Sequence, residues 1–124
     1  MELVSEFEHA DFTCRVRRHP TLGHLNGYVV VPGGHPWHEC GYAALEHVSV
    51  HGGVTFGDRF TADGPWEVGF DTAHRGDIRL AMLGDTSMPL IGKLRRAEFV
   101  RKQCHSLAEQ ARDAAEAEAG GGAS

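Results

Sequence analysis

A chain of 124 residues with 41% apolar side chains is enough for one modest core. Its formal net charge of −5 weighs against a general nucleic-acid backbone binder, which carries a basic face. Cys14, Cys40 and Cys104 are odd in number, far apart and free of any C-x-x-C pair, so no disulfide framework is suggested.

The N-terminal stretch MELVSEFEHADF is acidic and lacks the basic-then-apolar order of a signal peptide. No apolar run approaches the ~20 residues that span a bilayer. A protein of a reducing cytoplasm with no membrane partner is therefore expected. The first strand signal is DFTCRVR, where Phe12, Cys14 and Val16 alternate with polar residues. His19-Pro20 breaks it, since a residue before proline is pushed out of helical geometry. GYVVVP reads as a more fully buried strand, closed by the turn chemistry of Pro32-Gly33-Gly34. HPWHECGYAALE reads as a loop with one helical turn at Tyr42–Leu45. EHVSVHGGVTF and WEVGFD are the next two strands, separated by the polar loop GDRFTADGP.

After the irregular RGDIRLAMLGDTSMP, a helix is expected from near Lys93. Ala97, Val100, Cys104, Leu107 and Ala111 recur at steps of three and four and make one apolar stripe. Cys104 on that stripe is a core residue, and His105 beside it is expected in solvent. Glu98 and Lys102 stand four apart in the favourable order, and Glu116 and Glu118 oppose the dipole past Ala115. The result is an α+β domain over residues 1–118. It has a small, largely antiparallel sheet with one long C-terminal helix packed on its apolar face, and a flexible Gly-rich tail at 119–124.

The hairpin holds the densest chemistry. If the aromatics flanking its loop, Phe56 and Trp66, face each other, then Val54 faces Val68 and Gly52 faces Phe70 on the apolar side. On the polar side Thr55 faces Glu67, Gly53 faces Gly69, and His51 faces Asp71. Opposite partners lie ~5 Å apart at Cβ. A histidine–aspartate pair would then border a gap that two glycines leave open, with room for a ligand to approach the backbone. The alternative is a simple β-bulge at Gly52-Gly53 with an ordinary cross-strand pair. A one-residue slip would turn His51 to the core.

Other chemistries compete. Asp71, His74 and Asp77 form D-x-x-H-x-x-D and, with His51 and His47, could hold a divalent metal. His35, His38 and Cys40 offer zinc-type donors, but their spacing matches no standard zinc pattern. Gly33-Gly34-His35 and Gly52-Gly53 carry backbone N–H groups suited to an anion nest. There His51 would act as general base and Asp71 would orient it. No P-loop, dinucleotide fingerprint or nucleophile elbow is present.

The segments GYVVVPGGHPWHECGY, VHGGVTF, WEVGFDTAHRGD and FVRKQCHSLAEQ, over residues 27–110, together resemble a family of small bacteriophage and prophage proteins. That family carries G-Y-V-x-V-P-x-G-H-P, V-H-G-G-L-T-[YF] and W-x-x-G-F-D-x-A-H-x-x-D segments before a closing helix. The resemblance implies a phage-derived protein in the cytoplasm of a bacterial host, and it implies no reaction. Its signature falls on His35, Pro36, His51, Gly52, Gly53, Thr55, Trp66, Gly69, Phe70, Asp71, His74 and Asp77. The chain departs from the pattern at Trp37-His38-Glu39-Cys40 and at Glu67.

The sequence therefore points to a pocket for a small anionic ligand such as a nucleotide. His51, Asp71 and His74 are its candidate catalytic groups, and His35, Gly52, Gly53, Thr55, Gly69 and Asp77 its candidate binding groups. The choice between binding and hydrolysis stays open, as do the cofactor and the oligomeric state. The rival reading is an inhibitor of a host defence protein, acting through exposed acids such as Glu8, Asp11, Asp58 and Asp63. A virion assembly protein is the third.

Overall fold

The computed structural model describes residues 1–21, 23–72 and 90–123. Five strands, β1 (Glu2–His9), β2 (Phe12–Arg18), β3 (Leu25–Val31), β4 (Phe56–Arg59) and β5 (Trp66–Asp71), form one antiparallel sheet in the order β1-β2-β3-β5-β4. A long helix, α1 (Leu90–Ala123), packs against β1, β2 and β3. The α+β class holds, with the helix on the apolar face. No helix among the described residues is long and apolar enough to cross a membrane.

The apolar stripe lands where its period requires. Val100, Cys104, Leu107 and Ala111 are fully buried against Cys14, Val16, Val29, Val68 and Phe70 of the sheet. Burying a leucine such as Leu107 contributes roughly 1.5–3 kcal/mol. Both core thiols are inert: burial pushes Cys14 and Cys104 each up to about 12. The helix and sheet approach closely enough at Gly27 that a Cβ there would sit 2.6 Å from the Cys104 sulfur.

One strand was not anticipated and three expectations need correcting. MELVSEFEH, acidic in composition, forms the edge strand β1, joined to β2 by a tight turn in which Ala10 (φ 52°) and Asp11 (φ 70°) are both left-handed. Left-handed geometry at both central residues matches the twist of a hairpin, and Ala10 gives no sequence sign of it. EHVSVHGGVTF is not a strand until Phe56. Gly52 (φ 71°) and Gly53 (φ 81°) are left-handed, and the Gly53 N–H donates to the Val50 carbonyl at 2.8 Å, so this is a turn rather than a bulge. Helix α1 begins at Leu90, ahead of Lys93, and extends past Ala115 to Ala123.

The remaining correction is the register. Phe56 pairs with Gly69, Gly57 with Val68, Asp58 with Glu67 and Arg59 with Trp66. The aromatic pair Phe56–Trp66 does not form because each ring has another partner. The Phe56 ring packs on Tyr28 (5.5 Å) and Phe60 (4.7 Å), whereas the Arg59 guanidinium lies 5.4 Å from the Trp66 ring centre. Gly57 then faces the Cys40–Tyr42 segment, where a Cβ would meet the Cys40 carbonyl oxygen at 2.8 Å.

Candidate functional site

The register change dissolves the expected gap. Gly69 is not opposite Gly53; the Tyr28 ring occupies its open side, with Cδ1 2.3 Å from where a Cβ would stand. Asp71 pairs with Asn26 of β3, and alternation from the buried Phe70 aims it away from the helix-covered face. His51 lies against the helix: its backbone N–H donates to Gln103 Oε1 at 2.9 Å and its ring meets Phe99 edge-on at 5.0 Å. The ladder that was to set His51 beside Asp71 therefore does not exist. Of the expected set, the structure brings together Thr55 and Gly69, through a Thr55 N–H to Gly69 carbonyl bond of 2.9 Å. Gly53 follows Gly52 in the turn with open space beside it. His74 and Asp77 lie outside the described residues.

His35 is buried, and both its ring nitrogens are committed. Nδ1 accepts the Trp37 N–H at 2.9 Å, so Nε2 carries the proton and donates to the Ala111 carbonyl at 2.8 Å. Burial lowers its pKa and the Ala111 bond partly offsets that, which suits a neutral clamp between loop and helix. The clamp is one of three. Gln110 grips Ser49 twice, its Oε1 accepting the Ser49 N–H (2.9 Å) and its Nε2 donating to the Ser49 carbonyl (2.7 Å). Gln103, two helical turns earlier, holds His51. Among the described residues no group of three or more His, Cys, Asp or Glu side chains could hold a metal ion. Both His74 and Asp77, which the metal alternative needs, lie beyond that statement.

Two charged clusters escaped the sequence reading. The first covers the sheet face opposite the helix. Glu67, 1% exposed, accepts two bonds from Arg17 (2.7 and 3.0 Å) and one from Arg15 (3.0 Å), and Arg15 also donates to Glu6 at 2.7 Å. The Arg17 guanidinium is held between Phe60 (3.7 Å) and Tyr28 (4.8 Å). Its hydrogen bonds and ring contacts are internal, and that marks it as structural.

The second cluster lines a cavity of about 310 Å³ between β1 and α1, bounded by Phe7, Glu98, Arg101, Lys102 and His105. Period-2 alternation puts Phe7 and His9 on the helix-facing side of β1, and steps of four put Arg101, His105 and Glu109 on one helical stripe. The His9 and His105 rings stack at 4.0 Å and 13°, with Phe7 edge-on to His105 at 5.4 Å. His105 is thus half-buried rather than solvated. The His9 Nε2–H donates to Glu109 Oε2 at 2.6 Å, because a carboxylate can only accept. Burial and then the nearby His9 lower the His105 pKa, and the His9 hydrogen bond lowers that of Glu109. Lys102 is tied to Glu98 at 3.3 Å. The Arg101 guanidinium rests 5.3 Å from the Phe7 ring centre, and no carboxylate among the described residues pairs with it. The spacing R-x-x-x-H-x-x-x-E was a visible signal in the sequence. Its partner strand was not recognised, so the signal had no context.

Such a groove offers the Arg101 guanidinium, a Lys102 ammonium held by Glu98, and the His105 imidazole, over the Phe7 ring, with the His9–Glu109 pair beside it. Guanidinium and ammonium donors are chemically suited to oxyanions. Comparisons with protein-family models, with curated proteins and with solved structures found no match.

Proposed function

We propose that this protein binds a small phosphate-bearing anion, a nucleotide being the type ligand, in the groove between β1 and α1. The observation that carries the reading is Arg101, a cation without a carboxylate partner among the described residues, at the mouth of a 310 Å³ cavity beside Lys102 and His105. An unneutralised guanidinium next to an imidazole, with Lys102 already held by Glu98, suits a ligand that brings its own negative charge. The groove replaces the hairpin as the centre of the anion-binding reading, while the ligand class stays the same. In this proposal the chain acts in a bacterial host's cytoplasm, as its phage-like segments imply. Turnover is a separate question; the His9–Glu109 pair has the form of an oriented general base.

The test is calorimetric titration of inorganic phosphate and a panel of mono- and dinucleotides into the wild type, Arg101→Ala, His105→Ala and His51→Ala. Binding to the native state also raises thermal stability, by about 2.7 kcal/mol at a hundredfold excess over Kd. Arg101→Ala is expected to weaken binding at least about tenfold, the loss of one charge-assisted bond, while His51→Ala binds as the wild type does. Binding lost in His51→Ala but kept in Arg101→Ala would return the site to the hairpin. No heat with any ligand would end the anion-binding reading.

A further inference from the structure

The sheet has two edges, and they are built differently. Strand β4 is four residues long, and its Gly57 faces the Cys40–Tyr42 backbone. Strand β1 is eight residues long, and no described strand pairs with its outer side. A bulge at Val4 interrupts its ladder, leaving Ser5–His9 as a regular stretch, about 17 Å of strand. Beside that stretch Met1, Leu3 and Val4 are 51%, 50% and 41% exposed. An unpaired strand edge of this length is a template for another strand, and proteins normally blunt such edges.

Its charge says which strand. On the face away from the helix β1 presents Glu6 and Glu8, β2 presents Arg15 and Arg17, and β5 presents Glu67. Glu6 accepts from Arg15 and Glu8 from the Thr13 hydroxyl at 2.6 Å. The outermost row is acidic. A second copy of β1 cannot complete it: every antiparallel register over Ser5–His9 that continues the same face sets a glutamate of one copy opposite a glutamate of the other, which is destabilising. The edge is defended against itself and open to the opposite charge.

We infer that β1 is a docking edge for an extended segment of a partner protein carrying Lys or Arg at alternate positions. The segment adds as a sixth strand along Ser5–His9. Main-chain hydrogen bonds supply the affinity, the row of Glu6 and Glu8 selects basic side chains, and Leu3 and Val4 take an apolar neighbour at one end. The inference does not depend on the anion groove, which lies on the other face of the same strand.

Two short peptides test it, one alternating lysine with valine and one alternating glutamate with valine. Each is titrated into ¹⁵N-labelled protein, with amide shifts and hydrogen exchange read at residues 5–9 and affinity read by calorimetry. The basic peptide is expected to shift and protect these amides, and the acidic peptide to leave them unchanged. Glu8→Lys, which breaks only an exposed bond to Thr13, should weaken the basic peptide about fivefold and admit the acidic one. Arg101→Ala should change neither, which separates a failure here from a failure of the groove. Equal binding of both peptides, shifts elsewhere than residues 5–9, or concentration-dependent self-association through β1 would each overturn the inference.

Discussion

The two charged clusters contain similar side chains in opposite settings. On the sheet face the buried Glu67 accepts three bonds from Arg15 and Arg17, and Arg17 lies between two aromatic rings. In the β1–α1 groove Arg101 stands over one ring and faces open volume. The difference is dielectric. A buried carboxylate must be met by donors or the fold loses the cost of its desolvation, whereas a groove cation keeps its water and can exchange it for a ligand. Charge by itself therefore does not mark function; the proposal for the groove rests on charge left uncompensated at a cavity.

The comparison makes graded predictions. The largest concerns Glu67→Ala, which leaves the buried Arg17 guanidinium without its carboxylate and Arg15 with Glu6 alone, and should cost about 3–5 kcal/mol in urea denaturation. A cost below about 1 kcal/mol, the range of exposed pairs, would put the two clusters in the same class. Next comes Gly69→Ala, whose new Cβ would stand 2.3 Å from Tyr28 Cδ1. The ring that roofs Arg17 would have to move, at roughly 1–3 kcal/mol. Retained stability with an unchanged Tyr28 environment by NMR would remove that roof from the argument.

Smaller still is the His35 clamp. Its folded pKa lies below the unfolded value near 6.5, so the unfolded chain binds the proton more readily. The clamp's contribution is full above pH ~6.5 and is lost as pH falls below it; His105 acts in the same direction. Stability should therefore decline on acidification through that window, and His35→Gln should flatten part of the slope at a cost of about 1–3 kcal/mol. An unchanged slope would mean that His35 stays solvated enough to titrate normally. The smallest effect belongs to the groove: Arg101→Ala should move stability by no more than about 0.5 kcal/mol while reducing anion binding. A variant that unfolds as Glu67→Ala does would make Arg101 a structural residue.

Much of the fold was legible because much of it is local. The stripe Val100, Cys104, Leu107 and Ala111 needs only the helical period, and Phe12, Cys14 and Val16 only the period of a strand. The candidate site was legible in part. The groove residues Arg101, Lys102 and His105 were not among the expected site residues, and the anion-binding reading is carried to them only as a proposal. Edge strand β1 hid because its three glutamates break up the apolar pattern, and only pairing with Arg15, Arg18 and Thr13 gives those acids a place. The hairpin register hid because it is decided by Tyr28, a residue of another strand that lies over Gly69 and draws Phe56 to itself.

By itself, then, the sequence determined the class, the helix face and the core, since hydrophobic periodicity acts over a few residues and survives any tertiary arrangement. What only the tertiary structure decided is which charges meet. His9 and Glu109 are 100 positions apart, and Arg15 and Glu67 are 52 apart. No local pattern encodes such pairs, because they form only after the sheet and helix have packed and lowered the dielectric between them.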